Sequence, residues 1–472
     1  MKKQALVSLI LALLVFSLFS IAKAQADQVD QPDGPVYIVQ PGDSLWAIAA
    51  RFGISMDDLA DENGIADPAQ LTIGTRLVIP DFEGLSGVLV FETVPLGENI
   101  ESLSHRYGMP REALLRLNRL TSPDEAYAGA QLIVIQNEGD VQTAFASGGR
   151  ATLRADQSLM ETAITRGVSP WAVMKDNQMR GAWDLLPGEN IYLSNEEELD
   201  FGAMPEEFTG IEVNPFPLIQ GHTLVLKVDA PDMTSLSGKF NDRELNFFPL
   251  ADGGYVALQG IYAMLEAGAY SLILEGTLTD GTSLGFSQQV LVQDGNYPFD
   301  PPLVVDSETT DAQNNETENE LWFAIVAPVT LEKYWDGLFQ SPVPEHLSNC
   351  FPSKFGNRRS YNQSGYYYFH TGLDFCGRPG VDIYAPAPGR VVFAGPLTVR
   401  GNATVIDHGW GVYSAYAHQS EIQVSERDWV ETGQLIGLVG ETGRVTGPHL
   451  HWEVIVGGVQ VDPLHWLSQT YP

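Results

Sequence analysis

The alternation of apolar and polar positions divides the chain into stretches of different period. Lys2 and Lys3 precede an apolar run from Ala5 to Ile21, and Ala22-Lys23-Ala24 follows it. A short apolar run behind a basic start and ahead of an A-x-A site reads as an export signal over 1–24, cleaved before Gln25. An uncleaved anchor is the competing reading, although a spanning helix usually takes about 20 residues. No cysteine lies near this junction, which argues against lipoprotein processing. LWFAIVAPVTL at 321–331 is too short to cross a bilayer.

Residues 36–80 read as strand, helix, helix, strand. Pro41-Gly42 ends the first strand, Asp43 or Ser44 caps the first helix, and Asp57 and Asp58 open the second ahead of Leu59. A slide of 55 positions lays Gly42, Gly53, Asn63 and Gly74 on Gly97, Gly108, Asn118 and Gly129. A further slide of 59 carries Gly108, Asn118 and Gly129 onto Gly167, Asn177 and Gly188. One unit therefore occurs three times, over 35–81, 90–136 and 150–194.

Beyond residue 210 the period changes to two. HTLVLKVDA, GGYVALQGI, GAYSLILEGTLTDG and SQQVLVQ are short β-rich runs split by Gly, Asp and Asn turns, which predicts an antiparallel sandwich over 210–295. It offers no catalytic set, so a spacer or docking role is expected. Residues 296–320 are Pro-rich, then acidic with few apolar groups, and predict a disordered connection within a linker that reaches 335. The last stretch, 336–472, returns to β-rich runs.

The 472 residues carry a formal charge of −34, and 341–472 holds only 8 basic and 11 acidic groups, so most of the excess lies earlier. That balance argues against nucleic acid or an anionic membrane surface as partner. The two cysteines, Cys350 and Cys376, both fall in the last stretch. In an exported chain they suggest a disulfide, with a thiol beside Asp374 as the alternative.

Candidate chemistry concentrates in HTGLD at 370–374, YAH at 416–418 and GPHLHWEV at 447–454. His449 and His451 are two apart, so on a strand they share a face. His370 and Asp374 add an imidazole and a carboxylate. Two histidines with one carboxylate leave an open coordination position, the pattern of a catalytic zinc site. A lone histidine is usually a surface or hydrogen-bonded core residue. Five residues placed together by motif are not explained that way. His408 and His465 stand outside the set, in a turn and in a packing position.

These residues resemble the lysostaphin/LytM-type zinc endopeptidases, which cut peptide crosslinks in bacterial peptidoglycan. The likeness runs from FGNRR at 355–359 through VDIYAPAPGRVVFAG, GNATVIDHGWGVYSAYAH and VETGQLIGLVGETGRVTGPHLHWEV to VDPLHWL, about 120 residues in the family's order. It implies an all-β catalytic domain of the LytM, duplicated-hybrid-motif type, with one Zn(2+) held by His370, Asp374 and His451. His418 and His449 are then unmetallated catalytic histidines, and one of Tyr366, Tyr367 and Tyr368 steadies the oxyanion. Phe375 and Trp452 depart from the family's usual residues without touching the metal set. The first repeat resembles the LysM domain, a β-α-α-β module that binds N-acetylglucosamine-containing glycans, and the second and third resemble it more weakly. The stretch 210–295 resembles the immunoglobulin-like domains that often precede such peptidases.

The expectation is thus an exported zinc metalloendopeptidase of the periplasm or cell wall, with peptidoglycan as its partner, no nucleic acid, and no stable membrane insertion after cleavage. Two rivals stand beside it. One is a non-catalytic activator of wall amidases, against which every ligand position is filled; the other is a purely wall-binding protein, which leaves the C-terminal histidines unexplained.

Overall fold

The computed structural model describes residues 34–82, 84–136, 149–154, 157–186, 189–193, 202–251 and 253–472. The export signal expected at 1–24 lies outside them. No described helix is long and apolar enough to cross a membrane. The chain divides into two compact units, one built mainly of residues up to 92 with 104–123 and 131–136, the other mainly of the residues from 149 on.

In the first repeat, strand Val36–Ile38 pairs antiparallel with Arg76–Val78, and helices Leu45–Phe52 and Met56–Glu62 lie between them in sequence. Ser44 is the cap, its hydroxyl accepting from the Ala47 N–H. Asp43 instead accepts from the Tyr37 hydroxyl at 2.5 Å, which ties the first strand to the turn. Strand Val88–Thr93 of the second repeat runs parallel to Val36–Ile38, so the two repeats share one four-stranded sheet with Gln131–Gln136 at its edge.

One side chain explains the recurring asparagine. Asn63 donates to the carbonyls of Leu59 and Val78 and accepts from the Val78 N–H. Asn118 does the same with Leu114 and Ile133, and Asn177 with Val173 and Tyr192. Each closes its second helix onto the last strand 15 residues on, its amide bridging a carbonyl of the helix's last turn and a carbonyl of the strand.

Residues 210–293 form a five-stranded and a four-stranded sheet around a shared core. In the four-stranded sheet Leu224, Leu226, Val228 and Ala257 face that core. The alternate residues Val225, Val256 and Leu258, with Phe248, face the other way into the core of the C-terminal domain. Phe248 stacks on Trp410 with ring centres 4.7 Å apart. The stretch expected as a spacer is therefore one wall of a continuous apolar core, which is why its strand Tyr255–Gly260 is buried nearly throughout.

Segment 296–320, expected to be disordered, is ordered. Its first part pairs with the strand at Arg358, through the Asp300 N–H to the Arg358 carbonyl and the Leu303 N–H to that of Ser360. Residues Ala312–Val326 then form a helix capped by Asp311. Polar composition misleads here because only Trp322, Val326 and Glu318 of this helix are buried, and Trp322 and Val326, with Ile325 beside them, anchor it against Val405, Tyr413, Ala415 and Ile455.

The C-terminal domain is a nine-stranded, mainly antiparallel sheet whose central strand Val412–Ile422 lies between Gly401–Asp407 and His449–Val456. Leu373–Cys376 borders the latter at the edge.

Candidate metal centre

Strand register brings the chemistry together. Leu373–Cys376 runs antiparallel to His449–Val456, with Asp374 directly opposite His451 and Cys376 opposite His449. His370 follows the short strand Tyr368–Phe369, and its N–H donates to the Asn357 carbonyl. Between His370 and Asp374 the chain passes so close to the histidine strand that a Cβ at Gly372 would lie 2.3 Å from the Trp452 carbonyl oxygen. Only glycine fits there. His418 sits where the pairing of Val412–Ile422 with Gly401–Asp407 is irregular, and its φ is +64°. Such a bulge re-aims one side chain at the expense of local strain; here it places the His418 ring 5.0 Å from that of His449 and 5.8 Å from that of His451.

His370 Nε2, Asp374 Oδ1 and His451 Nδ1 stand 2.9, 2.9 and 3.0 Å from one another. The second nitrogen of each histidine fixes its tautomer, because a carbonyl or carboxylate can only accept. His370 Nδ1 donates to the Lys354 carbonyl at 2.8 Å, and His451 Nε2 to Glu453 at 3.0 Å. His418 Nδ1 donates to the Thr442 carbonyl and His449 Nδ1 to that of Gly447, each at 2.8 Å. Four imidazoles thus leave four lone pairs: two point into the cluster with Asp374, and His449 Nε2 lies 3.5 Å from the same carboxylate oxygen. This donor set, neutral imidazoles anchored by outer oxygens around an ionised carboxylate, fits a divalent transition metal such as zinc.

Burial and pairing set the protonation states around the cluster. Burial pushes the Asp374 carboxyl up, but His370 and His451 outweigh it and hold it well below the usual carboxylate range. Burial lowers His370 to about 4 and drives His418 well below its ordinary value, the latter helped by His449 and His451. For His451 burial is outweighed by the hydrogen bonds to Asp374 and Glu453, which raise it. Glu453 is held at about 2, its burial overcome by His451 and Arg400. Arg359 occupies the other Asp374 oxygen at 3.4 Å and leaves Oδ1 for the cluster.

All five residues expected from the motifs meet at this site. Cys350 and Cys376 form a disulfide, so no thiol faces the cluster. Phe375 and Trp452 are buried in the core behind it. Tyr367 and Tyr368 line the adjoining groove, whereas Tyr366 turns its hydroxyl to the Asp300 carbonyl. His408 is fully buried between the Pro388 carbonyl and Ser414, and His465 packs on His222. Sequence reasoning missed Glu453, Arg359 and Tyr361. Glu453 had a signal: it lies two residues after His451, on the same strand face. Arg359 lies in the FGNRR stretch of the likeness, but nothing local marked it as a partner of Asp374, and Tyr361 had no signal.

The groove has a volume of about 600 Å³, and its lining reaches beyond the histidine-bearing strands to Tyr262 and Met264 of the sandwich, Asp300 and Leu303 of the connecting segment, and Asn315 of the helix.

Residues 368–463, which include the whole cluster, match the model of peptidase family M23, and residues 37–80 and 93–134 match that of the LysM domain. The chain is 43% identical over 95 residues to the DD-carboxypeptidase/endopeptidase Mpg of Neisseria meningitidis, covering 20% of this chain and 22% of that protein. It is 44% identical over 95 residues to the peptidoglycan DD-endopeptidase ShyA of Vibrio cholerae, with the same coverage of 20% and 22%. It is also 41% identical over 101 residues to the murein hydrolase activator NlpD of Salmonella dublin, covering 21% of this chain and 26% of that protein. Each match spans about a quarter or less of the relative's own length. The chain therefore carries a peptidase family M23 domain at 368–463 and two LysM domains at 37–80 and 93–134.

Proposed function

We propose that this chain is an exported zinc endopeptidase that hydrolyses peptide crosslinks of bacterial peptidoglycan, in the periplasm or cell wall, held to its substrate by the LysM domains. The observation that carries the reading is the convergence of His370 Nε2, Asp374 Oδ1 and His451 Nδ1 within 3.0 Å, each imidazole tethered behind by an oxygen. A zinc ion bound there supplies Lewis acidity toward a water and the scissile carbonyl.

His418 Nε2 and His449 Nε2 present lone pairs beside the cluster, so these imidazoles accept the proton of the attacking water and return one to the leaving amine. Burial keeps His418 neutral and ready to accept. Arg359 and Glu453 act from behind, orienting Asp374 and His451. Tyr367 or Tyr368 reaches the groove from the side of His370, where the oxyanion would form.

The likeness to a hydrolase activator favours a second reading, in which the domain stimulates amidases without cutting. The filled ligand set and the complete outer hydrogen bonds weigh against it. Zinc content and release of new amino groups from purified peptidoglycan decide between them. The peptidase carries about one zinc and releases amines, and Asp374→Ala loses both while keeping its β-rich circular dichroism. Amine release by Asp374→Ala at the wild-type rate would overturn the assignment.

A further inference from the structure

Three arginines, Arg359, Arg400 and Arg444, line the groove beside the cluster. Two of them face carboxylates: Arg359 reaches Asp374 at 3.4 Å and Asp300 at 3.5 Å, and Arg400 reaches Glu318 at 2.9 Å. Arg444 differs. Its Nη1 donates to the Thr309 carbonyl and to Asn315 Oδ1, both neutral, at 3.2 Å. Its guanidinium lies over the Tyr361 ring, 4.3 Å from the centre. Among the described residues, its Nε and Nη2 have no hydrogen-bond partner and no carboxylate forms an ion pair with it.

A guanidinium stays charged at any working pH, and Arg444 is half-buried, so its charge is partly removed from water without a directly paired counter-ion, which is costly. Burial is the main effect that disfavours the cation here, Arg400 and Arg359 add to it, and the Glu318 charge offsets it only in part. The Tyr361 ring holds the fork flat while Nε–H and Nη2–H, its parallel edge, remain open. That edge matches the two oxygens of a carboxylate. Tyr361 in turn lies 3.4 Å from Arg359, which lies 3.4 Å from Asp374. The open edge therefore borders the same groove as the metal-ligand set.

We propose that Arg444 binds a free carboxylate of the peptide in the groove, and so makes the site select peptides with an acidic group close to the scissile amide over neutral ones. This rests on the peptidase reading above, and it names a specificity residue for that reaction.

The test uses the full-length, zinc-loaded protein and two crosslinked peptidoglycan peptides that differ only in whether the carboxylates flanking the scissile amide are free or amidated. Wild type should cut the free acid with a kcat/KM about 10- to 100-fold higher, the range expected of a charge-assisted hydrogen-bonded pair. Arg444→Gln should bring the ratio close to one, with the loss falling on the free acid and through KM. Arg444→Lys should restore part of the preference, since it returns the charge without the fork. An unchanged preference in Arg444→Gln, or an equal loss on both peptides, would overturn the proposal, the second outcome marking a structural role. Should wild type cut neither peptide, the peptidase reading fails by itself. Calorimetric binding of the same two peptides then decides: a free-acid preference abolished in Arg444→Gln supports the carboxylate site, and equal affinities for wild type refute it.

Discussion

Glu318 and Arg400 form a buried ion pair at 2.9 Å that ties the helix Ala312–Val326 to the peptidase domain beside His418. The Glu318 carboxylate also accepts from the N–H groups of Val399 and Arg400, and the Arg400 carbonyl accepts from the N–H of His418. A helix outside the family-matched residues thus helps hold a histidine of the site in its left-handed conformation. Glu318→Ala would leave the Arg400 guanidinium buried over Trp322 without its partner, a change that typically costs about 3–5 kcal/mol. Chemical denaturation of the full chain should show that loss, with a fall in turnover at temperatures where the protein is still folded.

Proton transfer and metal binding should separate by mutation. His418→Ala and His449→Ala are expected to keep zinc and to lose turnover by about 10²–10⁴-fold. Metal analysis and hydrolysis of a crosslink peptide on the same samples check this, because a merely destabilised protein would lose both. Near wild-type turnover in either variant removes that histidine from the mechanism.

The peptidase domain is not expected to stand alone. A fragment of 336–472 lacks Trp322 and Val326 against Tyr413 and Ile455, and lacks Phe248 on Trp410. Exposed apolar surface of that kind promotes association. Compared with a fragment starting at 202, it should unfold at lower temperature and aggregate at lower concentration; equal midpoints would show the shared core to be dispensable.

Wall affinity should reside in the LysM domains. Residues 34–82 alone are expected to sediment with insoluble peptidoglycan, and a chain starting at 202 should bind it more weakly. Equal retention of both in a pull-down would remove the anchoring role.

Acid sensitivity should trace in part to His408. Its Nδ1 donates to the Pro388 carbonyl and its Nε2 accepts from Ser414, so the fold holds it neutral, and burial lowers its pKa to about 4. The unfolded chain takes up this proton near pH 6.5, the folded chain only near 4. Stability is therefore full above about 6.5 and falls as the pH drops toward 4, by roughly 3 kcal/mol from this group. Thermal unfolding across that window should show a shallower decline for His408→Gln than for wild type.

The amino-acid sequence alone determined the residue types of the candidate site, the three-fold repeat and the β-rich character of the C-terminal half. Those are written in local spacing: His449 and His451 two apart, Asn63, Asn118 and Asn177 at matching offsets. Tertiary structure decided what local spacing cannot carry. Arg359 meets Asp374, and Glu318 meets Arg400, across 15 and 82 residues. Neither pair leaves a periodic trace, since a single ion pair needs only one residue on each side. The helix Ala312–Val326 escaped notice for a related reason: only Trp322, Val326 and, in part, Ile325 anchor it through apolar contact, too few to make a pattern. The sandwich was legible as strands, but its burial on both faces was not, because the second face is covered by residues about 200 positions away, and only folding brings them together.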